Sequence, residues 1–214
     1  MTAGNPFLAE CVSHSEMRED ITQAEVRWQK RFPPFERMLK LTENLSGSHT
    51  HLDFGCGFGT FAKLVADRYP SVQVYGIDPD RAKIETGKKR YTSPNLHLSC
   101  SEEIEGRYDS VTAVLALHET SDPKKSILDL AQHANPRGRL MVYEFRKTGK
   151  KKYREWYEKG SRDRPFDEAY EKHSRWTVDQ FRQICENVGF KSVEARPIGD
   201  YWLLYIGLKE DTLP

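Results

Sequence analysis

The chain has 214 residues, 37% of them hydrophobic, with 33 Lys and Arg against 32 Asp and Glu. At roughly 150 residues per domain this is one elaborated domain, apolar enough for a core, so disordered, collagenous and low-complexity classes are excluded. A net charge of +1 leaves no global basic field for coating nucleic acid, and the runs at 111–117 and 201–208 are far short of the ~20 apolar residues of a membrane span.

The N-terminal stretch reads as helical. Ile21, Ala24 and Trp28 recur at helical spacing with Phe32 following, Pro33 and Pro34 break the pattern, and Phe35, Met38, Leu39 and Leu45 restart it. Glu10, Glu16, Arg18, Glu19 and Asp20 occupy this end without an apolar run, which predicts no signal peptide. From His51 onward, strand patterns at 51–54, 72–77, 96–99, 110–117 and 139–145 alternate with helical patterns at 60–68, 80–90 and 123–134. Such alternation implies βαβ units and a parallel sheet. Asp122-Pro123 spells an N-cap followed by proline at the first helical position.

Residues 146–176 are charged and aromatic, and their spacing predicts helix. Thr177 and Gln180 spell a capping box for a helix that buries Val178, Phe181, Ile184, Cys185 and Val188 and stops at Gly189. Strands at 190–195 and 201–208 close the chain. Pro197, Gly199 and Asp200 form a short connection, so these two pair antiparallel. The expectation is a doubly wound α/β sheet of seven strands, the last reversed, with residues 1–46 as a helical cap, 47–145 as the ligand-binding core, 146–176 as a helical insert or lid, and 177–214 completing the core.

The informative segment runs from His51 to Gly59. A strand enters Gly55, Gly57 and Gly59, and a helix follows. Glycines here allow a tight turn and close approach to a ligand. Asp53 adds a carboxylate at the strand end, the ligand edge of open α/β sheets. Nineteen residues past Gly59, Asp78 ends the second strand, where an acid can accept both hydroxyls of a ribose. A dinucleotide fingerprint needs Gly-x-Gly-x-x-Gly, but these glycines alternate and position 60 is Thr. Asp53 would repel a pyrophosphate, whereas it suits a cationic amino group such as that of a bound amino acid.

These residues carry a family resemblance. The segment from Asp53 to Gly59 resembles motif I of the class I S-adenosylmethionine-dependent methyltransferases. Gly76-Ile77-Asp78 is similar to their second motif, residues 108–118 to their fourth strand, and Asn135-Pro136-Arg137-Gly138 to the turn before their fifth. Residues 143–145 and 176–190 match the quinone-methylating branch in general spelling. The resemblance implies S-adenosylmethionine as cofactor. Asp53 with Gly55, Cys56 and Gly57 would hold its methionine part and Asp78 its ribose. Pro79, Ser101 and Glu102 would surround the adenine, and Leu117 would border the transferred methyl. The adenine-capping position, commonly Asp in the family, is Ser101 here.

His118, Glu119 and Glu144 lie on the same strand edge and are the candidate catalytic residues. For His118 two readings stand side by side, a base that takes the acceptor's proton and a histidine that bonds a loop. Glu144 suits acceptor orientation, and Glu119 suits a helix start. Trp28, Phe32, Tyr153, Trp156 and Tyr157 would roof the acceptor pocket and exclude water. Basic residues crowd 146–164, which keeps an RNA substrate as an alternative, along with a non-catalytic cofactor-binding protein. The neutral charge overall argues for a small-molecule acceptor, methylated at O, N or an activated carbon, and against nucleic acid. No metal-ligand constellation or nucleophile elbow is legible. Cys11, Cys56, Cys100 and Cys185 stand apart without a CxxC, which predicts reduced thiols and a cytoplasmic setting. Oligomeric state is not encoded in any pattern we read.

Overall fold

Short apolar strands separated by amphipathic helices assemble here into a seven-stranded sheet. The computed structural model describes residues 48–159 and 164–211. The strands are β1 (Thr50–Phe54), β2 (Gln73–Asp78), β3 (Leu96–Cys100), β4 (Tyr108–Val114), β5 (Ala134–Phe145), β6 (Phe190–Ile198) and β7 (Trp202–Lys209). Their order across the sheet is β3-β2-β1-β4-β5-β7-β6. The first five are parallel, and β7 pairs antiparallel with both β5 and β6. The order reverses between β1 and β4, which makes the carboxyl ends of those two strands the ligand crevice of a doubly wound sheet.

Helices α1 (Thr60–Arg68), α2 (Arg81–Arg90), α3 (Pro123–His133), α4 (Lys150–Glu158), α5 (Phe166–His173) and α6 (Val178–Asn187) connect or cover the strands. Their starts follow local chemistry. The Asp80 carboxylate accepts from Ala82 and Lys83 N–H, and that of Asp122 from Lys124 and Lys125 N–H. Both halves of the Thr177–Gln180 capping box are formed. The core joins Leu52, Val111, Leu117, Ile127, Leu130, Leu140, Val142, Phe181 and Tyr205, all essentially inaccessible to solvent. No helix among the described residues is long and apolar enough to cross a membrane.

The chain divides into two units, residues 1–44 and 45–214. The predicted N-terminal helices, with Trp28, Phe32 and Phe35, lie outside the described residues. Three expectations need correction. Strand β4 stops at Val114 rather than 117, because Leu115 takes a left-handed φ of 51° and the chain turns into a 3-10 turn over Leu117–Glu119. Strand β5 begins at Ala134. Residues 135–138, expected as a free turn, loop out of the β4–β5 ladder between the pairs Tyr108↔Ala134 and Ser110↔Arg139, with Arg137 at φ 61°. Pro197, expected in the connection, pairs with Leu203 inside β6. An edge strand tolerates that proline because one row of its N–H groups has no ladder partner to lose.

Candidate active site

Three successive turns of backbone shape the crevice. Gly55, Gly57 and Gly59 all take positive φ (66°, 58° and 79°) between β1 and α1. A Cβ at Gly55 would stand 2.5 Å from the Ala116 Cβ, so only glycine lets the loop lie against the segment following β4. A Cβ at Gly57 would meet nothing within 4 Å. The loop thus faces open space at its middle residue and packs at its flanks. The Asp78 carboxylate organises the same loop, since it accepts from Gly57 N–H at 2.9 Å and from Asp80 N–H at 2.9 Å. Sequence spacing indicated Asp78 as a ligand group but carried no sign of this structural role.

Asp53 is buried at 2% exposure, with Oδ1 accepting from the Thr112 hydroxyl at 2.9 Å. Its Oδ2 is buried and has no hydrogen-bond partner among the described residues. Burial raises its pKa to about 7. The Thr112 hydroxyl and the Ala62 backbone N–H pull it back part-way, and the like charge of Asp78 adds to the rise. An orphaned carboxyl oxygen beside an open glycine loop is what a ligand ammonium would complete. Asp78 keeps spare lone pairs for hydroxyl donors. These residues therefore fit an adenosyl amino acid.

The remaining expected cofactor residues are less uniform. Cys56 packs toward β2 with its N–H on Ile77 O, and burial raises its thiol pKa far above the ordinary range. Pro79 is exposed and Glu102 is exposed. The Ser101 hydroxyl exchanges hydrogen bonds with Glu103 in its own turn. Leu117 was expected at the methyl edge, but it is wholly buried in the core. The 3-10 turn points it inward and leaves His118 at the edge.

His118 is the centre of a charged cluster. Its Nδ1 lies 2.7 Å from Glu144 Oε1, its backbone N–H donates to Glu144 Oε2 at 3.1 Å, and its Nε2 lies 3.4 Å from Glu119. Burial alone would lower its pKa, but the charge of Glu144, the hydrogen bonds its ring donates to both acids and the charge of Glu119 outweigh it, and the value rises to about 9. Glu119 in turn accepts a bidentate pair from Arg164, at 2.7 and 3.1 Å, and an ion pair from Lys172 at 3.1 Å. Its pKa is held well below the usual carboxylate range, first by the His118 hydrogen bond. The His173 ring stands edge-on to His118 at 4.7 Å and stacks on Phe145 at 3.8 Å. Burial lowers the pKa of His173 to about 3.

Both ring nitrogens of His118 are thus engaged by carboxylates, which favour its charged form. An imidazole held in this way suits the loop-bonding, charge-bearing reading better than the base reading. Donor atoms of His118, Glu119 and His173 come within 4.8 Å of one another. Arg164 and Lys172 already neutralise that carboxylate, which disfavours a further cation there.

Helices α4 and α5 of the insert set aromatic rings against Phe145 at the end of β5. Tyr153 was expected as a pocket liner but is 1% exposed and bonds His173 Nδ1 at 2.7 Å, so it joins the two helices from inside. Trp156 contacts Phe145 and Tyr201 edge-on or tilted, at 5.3 and 6.0 Å. The Tyr157 hydroxyl donates to Arg164 O. A separate cleft of about 580 Å³, lined by Lys88, Tyr91, Ser93 and His97, contains none of these residues.

Comparison with known proteins agrees with the geometry. The family model described as a methyltransferase domain matches residues 25–195. The chain belongs to this methyltransferase family. Its fold is that of the class I S-adenosylmethionine-dependent enzymes. A malonyl-[acyl-carrier protein] O-methyltransferase of Anoxybacillus flavithermus is 30% identical over 100 residues, 45% of this chain and 39% of that protein. One from Priestia megaterium is 24% identical over 143 residues, 63% and 51% of the two chains. The chain therefore spans about half or less of the length of the curated relatives it matches. A putative methyltransferase of Haloferax volcanii, solved with the activator Trm112, superposes with a TM-score of 0.67 at 15% identity, covering 88% of this chain and 95% of the other. The plantazolicin methyltransferase BpumL, solved with S-adenosylhomocysteine and a substrate analogue, superposes at 0.64 with 14% identity, covering 90% and 91%.

Proposed function

We propose that this methyltransferase transfers the methyl of S-adenosylmethionine to an oxygen of a small acceptor that is already anionic, a carboxylate, either free or borne on an acyl carrier. The carrying observation is the charge balance beside the glycine loop. His118, Arg164 and Lys172 bring three positive charges against the two of Glu119 and Glu144. One positive charge remains in a partly buried site, which attracts an anion. The malonyl-carrier relatives are named for O-methylation of such an acyl group.

When bound, S-adenosylmethionine supplies a methyl on a sulfonium, open to in-line displacement. A carboxylate attacks without losing a proton, so the absence of an available base at His118 costs nothing. The residues of the chain act by holding the acceptor close and aligned. Glu144 locks the His118 ring, Arg164 and Lys172 draw in negative charge, and the aromatic lid keeps water out.

Against an RNA acceptor, several basic residues of the insert already have partners. Lys150 pairs with Asp167 and Lys152 with Asp200, and Arg154 lies over the Phe166 ring.

The test measures S-adenosylhomocysteine formation with matched acids, amines and phenols, including malonyl-carrier protein, from pH 6 to 9. At saturating S-adenosylmethionine, the reading expects turnover with carboxylates and no rising limb above pH 6. Turnover confined to amines or phenols, rising with pH, would overturn it.

A further inference from the structure

We propose that Thr112 and His51 are positioning residues that orient the Asp53 carboxyl so that its second oxygen meets the ammonium group of the cofactor's amino-acid end. The inference rests on the cofactor assignment and is independent of the acceptor.

The chain of contacts crosses two strands. In the parallel register of β1 and β4, His51 faces Ser110 and Asp53 faces Thr112. The period of two places all four on one face of the sheet. His51, Asp53, Ser110 and Thr112 are 0%, 2%, 2% and 0% exposed, so they depend on one another for most of their hydrogen bonds. The Thr112 hydroxyl has one proton. Asp53 Oδ1 lies 2.9 Å away and the Leu52 carbonyl 3.3 Å, so the shorter bond to the carboxyl takes it. The Thr112 oxygen then accepts from His51 Nε2 at 3.2 Å, which places the imidazole proton on that nitrogen. His51 Nδ1 is left to accept from the Ser110 hydroxyl, also at 3.2 Å. Every donor in the row points toward Asp53. Burial keeps His51 neutral, with its pKa lowered to about 3, so it serves as a donor and acceptor and not as a counter-charge.

The row ends on an acid with one oxygen held and one free. Asp53 Oδ2 makes no well-formed hydrogen bond among the described residues, and the Ala62 N–H acts on the carboxyl only in part. A buried carboxylate left half-satisfied is costly, and a cationic donor is the group that removes the cost. Holding Oδ1 through a β-branched residue on a central strand leaves the carboxyl little freedom to turn. The ammonium of an amino acid is therefore met by an acceptor already aimed, which lowers the ordering cost of binding.

Binding to the full chain of two ligands separates this role from general structural support. S-Adenosylhomocysteine carries the amino acid, and 5′-methylthioadenosine carries the same nucleoside and thioether without it. Thr112→Val keeps the branched shape and loses the hydroxyl. It should weaken S-adenosylhomocysteine about tenfold, the scale of one lost hydrogen bond to a charged group, and leave methylthioadenosine within about twofold. Thr112→Ser should restore the preference. His51→Phe, which fills the ring volume without a donor, should move the two affinities the same way by a smaller factor. Equal weakening of both ligands, or an unchanged S-adenosylhomocysteine affinity in Thr112→Val or in His51→Phe, would overturn the assignment. A wild-type chain that binds neither ligand would instead overturn the cofactor reading.

Discussion

The backbone N–H of Gly57 donates to Asp78 Oδ2 at 2.9 Å, across 21 residues of sequence. The acid at the end of β2, the candidate ribose acceptor, thus also holds the glycine loop in shape. Asp78→Ala should therefore weaken S-adenosylhomocysteine by two routes, together on the order of 1–3 kcal/mol. Calorimetry with adenosine alone, whose ribose is intact, should show a loss as well. An undiminished affinity for both would remove Asp78 from the site.

Gly57→Val should abolish cofactor binding and leave the fold standing. A Cβ there meets no atom within 4 Å, so no packing clash arises. The φ of 58° costs a branched residue on the order of 1–2 kcal/mol, enough to lower the melting temperature by a few degrees. The side chain would fill the space the loop leaves open. Thermal melting and calorimetry on the same sample check both halves.

Asp53 makes cofactor affinity depend on pH. Its pKa is raised to about 7, and a ligand ammonium favours the ionised form. Affinity for S-adenosylhomocysteine should rise with pH between about 5 and 7, by at most about tenfold per unit, and level off above. The groups facing Asp53 are Thr112, the Ala62 N–H, neutral His51, Asp78 and the un-ionised Cys56 thiol. Methylthioadenosine should show no such slope. For the unliganded fold the sign is opposite, since a raised carboxyl pKa means that stability is lost as pH rises from about 4 through 7. Calorimetry at three pH values and pH-dependent melting test the pair of slopes.

His118 carries the reverse linkage. Its folded pKa of about 9 exceeds the ordinary value of 6.5, so its ion-pair stabilisation is complete below about 6.5 and is lost as pH rises through 9. The charges around it are Glu144, Glu119, Arg164 and Lys172, with neutral His173 on the remaining side. Glu144→Gln should flatten the decline between pH 6.5 and 9 and lower stability at neutral pH. A decline identical to wild type would detach it from this pair.

Arg164→Gln should act on the acceptor and spare the cofactor. Its guanidinium and Lys172 converge on Glu119 from the lid. Removing one cation should raise KM for a carboxylate acceptor several-fold, with S-adenosylhomocysteine affinity unchanged. Steady-state kinetics beside calorimetry separates these effects. A change in cofactor affinity of the same size would show that the lid shapes both sites.

Local chemistry wrote much of this molecule into its sequence. Helix α1 spans Thr60–Arg68 as its periodicity indicated, and Asp80, Asp122 and Thr177 cap their helices, because a cap needs only side chains two or three residues away. The alternating glycines and the acids at 53 and 78 marked the ends of β1 and β2 as the candidate ligand edge for the same reason, since each strand end and turn is a short-range pattern. What tertiary structure decided lies at long range. Leu115 turns left-handed and cuts β4 short where its spelling continues a strand; packing of Ala116 against Gly55 accompanies the turn and brings His118 to the edge. The charge of His118 depends on Glu144, 26 residues away, and that of Glu119 on Arg164 and Lys172, 45 and 53 away. Thr112 meets Asp53 across 59 residues. A residue's type sets which protons and charges it can carry. Its state at neutral pH is set by burial and by partners that only the folded sheet brings within hydrogen-bond distance.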